Sequence, residues 1–203
     1  MRVIFIFLFC MLLALPATAA KTILALGDSL TAGYGLEAGH AMPDVLQAAL
    51  QKSGADVKII NAGISGDTAA EGAARLDWAL TPDVQAIILE LGANDALRGL
   101  PPEGVDKALR GVLDEAKAKK LPVLILGMKA PPNLGEDYRA KFDAIYPKLA
   151  NDYGAQLYPF YLDGVAAQPG LNQQDGMHPN DKGLAEIVAR MLPLIKGFVS
   201  QLP

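Results

Sequence analysis

The sequence has 203 residues, 51% of them hydrophobic, with 18 basic and 22 acidic residues and a formal net charge of −4. This length and apolar content predict a compact domain with a core large enough to fold alone. The acidic balance and the lack of a basic cluster disfavour nucleic acid as a partner.

The N-terminus predicts a signal peptide over residues 1–20. Arg2 precedes an apolar run over residues 3–15, and the small-residue ending PATAA follows. The run is shorter than the roughly 20 apolar residues that cross a bilayer, so an uncleaved membrane anchor is the less favoured alternative. We therefore expect a periplasmic or secreted protein whose residues 21–203 form one domain, without a stable membrane anchor.

The single cysteine, Cys10, lies inside that apolar run. Removal of the signal peptide would leave a chain without thiols, which excludes a disulfide framework, a thiol nucleophile and thiolate metal sites. Hydroxyl side chains then remain as candidate nucleophiles.

Short apolar runs alternate with longer amphipathic segments along the chain. The runs predict β-strands over residues 22–26, 57–60, 84–91, 123–126 and 156–160. The amphipathic segments predict helices over residues 43–52, 69–80, 105–120, 136–153 and 182–199. This order predicts an α/β fold: a three-layer α/β/α sandwich with a flavodoxin-like sheet of five parallel strands. In such a sheet the ligand lies beyond the carboxyl ends of the strands.

A glycine-flanked turn, GDSLTAGYG, follows the first predicted strand. It would hold the hydroxyl of Ser29 at the carboxyl edge of the sheet, where a nucleophile is expected. The alternative is an ordinary turn in which Asp28 and Ser29 only cap the next helix.

Two further turns could supply hydrogen-bond donors to a substrate oxygen. In NAGISGDT, after the second strand, Gly63 would let a backbone N–H approach without an intervening side chain. In LGAND, after the third strand, Asn94 offers a side-chain N–H at the same edge. The alternatives are a plain turn capped by Asp67 or Thr68, and an Asx turn at Asn94.

The segment DGMHPN near the C-terminus could supply a base. Its three-residue spacing can bring the carboxylate of Asp175 onto the imidazole of His178, and Pro179 favours an extended backbone at that histidine. A hydroxyl is a weak nucleophile, so His178 would take the proton of Ser29 and return it to the leaving group.

The remaining histidine, His40, stands ahead of a predicted helix without a partner signature, and we interpret it as an exposed loop residue. The acidic residues show no paired spacing typical of metal ligands. We therefore expect no cofactor and no metal.

The four blocks GDSLTAGYGL, NAGISGDT, LGANDALRG and DGMHPN, in this order, resemble those of the GDSL or SGNH hydrolases. The resemblance implies a triad of Ser29, Asp175 and His178 and an oxyanion hole formed by Ser29, Gly63 and Asn94. Among the family, the small periplasmic arylesterases, acyl-CoA thioesterases and lysophospholipases are the most similar. Small acyl esters or thioesters are therefore the expected substrates, and a monomer or weak oligomer the expected state.

Five apolar residues near these blocks could bind an acyl or aryl group, although core or loop packing explains them equally well. They are Leu97, Leu100, Pro131, Leu134 and Met177. Lys129 stands where similar enzymes often carry Arg-x-Pro-x-Asn, so it either changes substrate preference or is a surface lysine without a role.

Two alternatives differ from the leading hypothesis in substrate or in class. An exported enzyme of the same mechanism could remove O-acetyl groups from envelope polysaccharide. A noncatalytic ligand-binding domain could also use this fold, because a fold alone does not define a function.

Overall fold

A computed structural model describes residues 20–202, in which five parallel strands form one sheet. The strands are β1 (Lys21–Gly27), β2 (Val57–Gly63), β3 (Val84–Glu90), β4 (Val123–Leu126) and β5 (Gln156–Tyr158). Their spatial order, β2-β1-β3-β4-β5, is that of flavodoxin-type sheets. The predicted α/β fold is confirmed.

Nine α-helices lie in the described part of the chain. They are α1 (Ser29–Ala32), α2 (Met42–Lys52), α3 (Ala69–Ala74), α4 (Leu76–Ala79), α5 (Ala93–Leu97), α6 (Pro102–Ala118), α7 (Glu136–Asp143), α8 (Ile145–Tyr153) and α9 (Asp181–Ser200). Helix α2 packs against α9, whereas α6 packs against α3 and α8. A short 3-10 helix covers Pro132–Leu134.

The predicted signal peptide lies outside the described residues, apart from Ala20. Across residues 20–202, none of the helices combines the length and the apolar character that crossing a bilayer requires.

The central strands are buried on both faces, as their continuous apolar sequences predict. Four successive side chains of β1, Ile23 to Leu26, are fully buried, and so are Ile87 and Ile88 of β3. Burying one such aliphatic side chain contributes about 1.5–3 kcal/mol, so these strands anchor the core. In the sheet register Gly27 lies beside Gly63 on β2 and beside Glu90 on β3. The carboxyl ends of three strands therefore meet at one level.

Two segments predicted as single helices are each broken in two. The predicted helix over residues 136–153 is interrupted at Ala144, between α7 and α8. The cause is Pro147, which has no N–H to donate to the carbonyl of Asp143 and whose ring would collide with that carbonyl in a continuous helix.

The last strand is shorter than predicted, because Pro159 follows Tyr158 and has no N–H to donate to the ladder.

The predicted helix over residues 69–80 is interrupted at Arg75, whose side chain reaches across the end of the sheet. Its guanidinium donates to the carbonyl oxygens of Ala62 and Gly27 at 2.7 and 2.8 Å, and to Asp67 Oδ2 at 2.6 Å. Arg75 thereby joins the carboxyl ends of β1 and β2 to the loop that follows β2.

Replacing Arg75 by alanine should lower the free energy of unfolding by about 2–4 kcal/mol, because it leaves the half-buried carboxylate of Asp67 without its donor and removes one donor from each of two carbonyls. Arg190→Ala, which breaks exposed ion pairs with Asp163 and Glu186, is the matched control and should cost under about 1 kcal/mol. Urea denaturation of both variants measures the difference. Equal costs would contradict the structural role of Arg75.

Candidate active site

The candidate site lies at the carboxyl ends of β1 and β3, where the winding of the sheet reverses direction and ligands of such folds bind. Helix α1 begins directly after β1, with Asp28 as its N-cap and Ser29 as its first residue. A Cβ atom at Gly27 would collide with the side chains of Thr31 and Glu90. Only glycine therefore permits this tight strand-to-helix turn.

Ser29, His178 and Asp175 form a continuous chain of hydrogen bonds. Ser29 Oγ lies 2.9 Å from His178 Nε2, and His178 Nδ1 lies 2.6 Å from Asp175 Oδ2. The imidazole is 18% exposed and the carboxylate 31% exposed, so the cluster opens to solvent on one side. These distances satisfy the geometry of a nucleophile, a base and a group that orients the base.

The loop that carries His178 is held by its own backbone. Asp175 Oδ1 accepts the backbone N–H groups of His178 and Met177, and the bond from His178 is the main cause that lowers the pKa of Asp175 to about 2. A bridge between Asn172 and Pro179 closes the loop. The ring of Tyr34 contacts the imidazole at 4.7 Å between centroids. Because the pKa of Asp175 is about 2, its carboxylate is ionised across the physiological pH range.

The structure does not bring Gly63 to the candidate site. Its N–H donates to Asn61 Oδ1 at 2.9 Å, and the residue is absent from the cavity lining. A Cβ at Gly63 would collide with the backbone of Ala32, so this glycine serves the packing of α1 on β2. The N–H of Gly63 is thus not directed at the cavity, as the prediction of an oxyanion donor there would require, whereas another residue of the same turn does line the cavity.

That residue is Gly66, which lines the cavity with Ser29 and has a φ of 93°. Within residues 20–202 its N–H has no protein acceptor, and neither has the N–H of Ser29. Because a positive φ favours glycine, the turn requires glycine here. Both glycines of this turn are visible in the sequence, but only the path of the chain shows which N–H faces the cavity.

Asn94, the other predicted donor, lines the cavity together with Ser29. Its Nδ2 donates to Asp28 Oδ2 at 3.1 Å and to the carbonyl oxygen of Asp67 at 3.0 Å. Thr68, by contrast, caps α3 in a reciprocal capping box with Glu71, so its role is structural. The amide of Asn94 is thus fixed between the loops that follow β1 and β2.

Two buried carboxyl groups, Asp28 and Glu90, lie beneath the turn at Ser29. Both are fully buried, and burial raises the pKa of Asp28 to about 6 and that of Glu90 well above its ordinary range. Glu90 Oε2 accepts from Thr31 Oγ1 at 2.8 Å and from the N–H of Asp28 at 3.3 Å. No motif in the sequence indicates this pair, because Glu90 simply ends a mainly apolar strand.

A cavity of about 670 Å³ adjoins Ser29 and His178. Its walls are mainly apolar, and Leu97, Pro131 and Met177 line it, as predicted. Leu100 and Leu134 do not line it. Leu134 packs against the core instead, and the carbonyl of Leu100 accepts the hydroxyl of Tyr138. Unpredicted members of the lining include Tyr34, Met128 and Phe160.

The two residues left without a role lie in different places. His40 is exposed, and its Nδ1 lies 2.8 Å from Asp181 Oδ1, which is the main cause of its raised pKa. Lys129 lines the cavity. The described residues contain no group of three or more histidine, cysteine or acidic side chains suited to hold a metal ion.

The sequence is similar to several known hydrolases. Residues 25–185 match the model of the GDSL-like lipase/acylhydrolase family. The chain is 41% identical over 194 residues to thioesterase 1/protease 1/lysophospholipase L1 of Escherichia coli K12. The aligned region covers 93% of this chain and 92% of the relative. It is 40% identical to an arylesterase of Vibrio mimicus over 91% and 93% of the two chains.

A solved structure is also similar. AlinE4, an SGNH-hydrolase family esterase, superposes with a TM-score of 0.77 at 45% identity, over 90% of this chain and 98% of that chain. The sheet topology and these relatives define an enzyme that hydrolyses ester bonds. The chain belongs to the GDSL-like lipase/acylhydrolase family.

Replacing Asp28 by asparagine should flatten the dependence of stability on pH. Asp28 has a pKa of about 6 in the folded protein and an ordinary value of 3.8. Between those values the unfolded chain releases a proton that the folded protein retains, so this group lowers the free energy of unfolding as pH rises. Between pH ~4 and ~7 the free energy of unfolding of the wild type should fall by about 1–3 kcal/mol more than that of Asp28→Asn. Urea denaturation at each pH measures it.

Asp44→Asn is the control for this experiment, because the exposed carboxylate of Asp44 also accepts a backbone N–H at the start of a helix. It should retain the pH dependence of the wild type. If the free energy of unfolding of Asp28→Asn changed with pH in parallel with that of the wild type, this would contradict the raised pKa of Asp28.

Proposed function

We propose that this chain is an exported serine esterase and thioesterase that acts through an acyl-enzyme. Ser29 is the nucleophile, His178 the general base and acid, and Asp175 the group that orients His178. The observation that carries the proposal is the aligned hydrogen-bond chain from Ser29 Oγ through His178 to Asp175 at the edge of an apolar cavity.

In the first half-reaction Ser29 Oγ attacks the acyl carbonyl while His178 Nε2 takes its proton. Asp175 stabilises the imidazolium that forms. When the tetrahedral intermediate collapses, the bond to the alcohol or thiol breaks, and His178 gives its proton to that leaving group. Water, activated by the same imidazole, then releases the acid and regenerates Ser29.

The oxyanion of the intermediate would be bound by three N–H groups, from the backbone of Ser29, the backbone of Gly66 and the side chain of Asn94. The first two lack protein acceptors within residues 20–202, which supports this role. The amide of Asn94 donates to Asp28 and to the Asp67 carbonyl in the free enzyme. A full negative charge is a stronger acceptor than a neutral carbonyl, so the oxyanion would compete for the N–H of Asn94.

Small to medium acyl esters and thioesters are the proposed substrates. A cavity of about 670 Å³ lies within the range of small-molecule sites, and its apolar walls suit an acyl or aryl group. The names of the relatives, thioesterase, lysophospholipase and arylesterase, support the same class.

Ser29→Ala should lower kcat/KM on para-nitrophenyl esters and acyl-CoA thioesters by roughly 10⁴-fold or more, because no other group takes over as nucleophile. The measurement uses acyl chains from acetyl to palmitoyl and includes circular dichroism to verify folding. Ser200→Ala, which removes an exposed hydroxyl at the end of α9, is the control and should retain full activity. Turnover by folded Ser29→Ala at the wild-type rate would reject the mechanism.

The proposed export rests on the charged, apolar and small-residue segments over residues 1–20. Expression of the full sequence in a Gram-negative host should yield a periplasmic or secreted protein that lacks residues 1–20. Intact-mass spectrometry of the fractionated cells measures the N-terminus. A cytoplasmic product that retains the apolar run would reject export while leaving the catalytic proposal intact.

A further inference from the structure

The cavity beside Ser29 contains one side chain with a permanent charge, that of Lys129. Among the lining residues that the structure describes, none other is a lysine, an arginine or an acid. Most of the remaining lining is aliphatic or aromatic, with the polar groups of the catalytic cluster at one side. A lone cation in such a wall is positioned to affect which substrates bind.

Lys129 has no carboxylate to neutralise it. In the chain from residue 20 to residue 202, no acidic oxygen lies within ion-pair distance of its Nζ. The ammonium lies over the ring of Phe160, 5.1 Å from its centroid, and Phe160 also lines the cavity. This cation–π contact favours a position of the charge at the cavity wall and leaves N–H donors for another partner.

The backbone around Lys129 is fixed rather than free to move away. The segment follows β4, and the N–H of Ala130 donates to Asp143 Oδ1 at 2.9 Å. The carboxylate of Asp143 thus accepts a backbone N–H and forms no ion pair with Lys129. The backbone from which the exposed Lys129 side chain extends is therefore held in place at the cavity.

The sheet order sets the distance between this charge and the nucleophile. One strand, β3, separates β4 from β1, so the loops that carry Lys129 and Ser29 are two strand spacings apart, about 10 Å. An anionic group several bonds from the scissile carbonyl could span that distance. Because the whole chain carries a net charge of −4, recognition of an anion depends on such a local cation.

We propose that Lys129 is a specificity residue that selects substrates with a negatively charged group, a carboxylate or a phosphate, several bonds from the acyl carbonyl. This inference rests on the proposed esterase function and adds the charge of the substrate to it. The anion belongs either to the leaving group or to the far end of the acyl chain.

Two matched pairs of chromogenic esters test the proposal. For the leaving group, para-nitrophenyl butyrate is compared with its ring-carboxylated derivative. For the acyl chain, the para-nitrophenyl ester of monomethyl adipate is compared with that of adipic acid, which ends in a free carboxylate. The measured quantity is the ratio of kcat/KM for the anionic ester to kcat/KM for its neutral partner.

Lys129→Met removes the charge and keeps most of the length of the side chain. In at least one pair of esters it should lower this ratio roughly tenfold, which is the scale of one partly exposed interaction between opposite charges. High salt should lower the wild-type ratio for the same pair of esters, because it screens that interaction. Lys129→Arg should retain the ratio, as should Lys196→Met, which removes an exposed lysine of α9 with the same change in net charge. The responding pair identifies which part of the substrate carries the anion.

An unchanged ratio in both pairs for Lys129→Met would overturn the role of Lys129, even if the enzyme hydrolyses every ester. An equal fall for Lys196→Met would also overturn it, because the effect would then follow net charge. Failure of the proposed function is distinguishable, since it would abolish the Ser29-dependent turnover of the neutral esters in the wild type.

Discussion

The carboxyl group of Asp28 connects the elements that meet at the candidate site. One oxygen caps α1 through the N–H of Leu30, and the other accepts the amide of Asn94 after β3. Its backbone N–H donates to Glu90 at the end of β3. Burial strengthens these bonds and also raises the pKa of Asp28. The geometry at Ser29 therefore depends on a carboxyl group that loses its proton less readily than an exposed aspartate does.

The loop after β2 is fixed from several directions in the same way. Asp67 binds Arg75 through its side chain and Asn94 through its carbonyl, and Arg98 donates to the carbonyl of Gly66 at 2.7 Å. A backbone N–H can bind a developing oxyanion effectively only if it needs no rearrangement during the reaction. These anchors hold the backbone at Gly66 in place, as the role proposed for its N–H requires.

The sequence predicted the sheet, and indicated which polar residues follow its strands, because both signals are local: apolar runs for the strands, and short polar blocks directly after them. It could not decide between Gly63 and Gly66, since both stand in one turn and only the path of the chain shows which amide faces the cavity. Apolar side chains near the site were equally ambiguous, and Leu134 turned to the core. The break at Pro147, by contrast, was predictable from the sequence itself.

Helices α1 and α5, which carry Ser29 and Asn94, have four and five residues. Isolated helices of that length are unstable in water, so neither can form before the strands pair. Their stabilising bonds join residues about 60 positions apart, as between Asp28 and Asn94. Folding kinetics are therefore linked to the geometry of the candidate site: Ser29 reaches its position only after long-range contacts close, so the site should form with the sheet rather than with early helices.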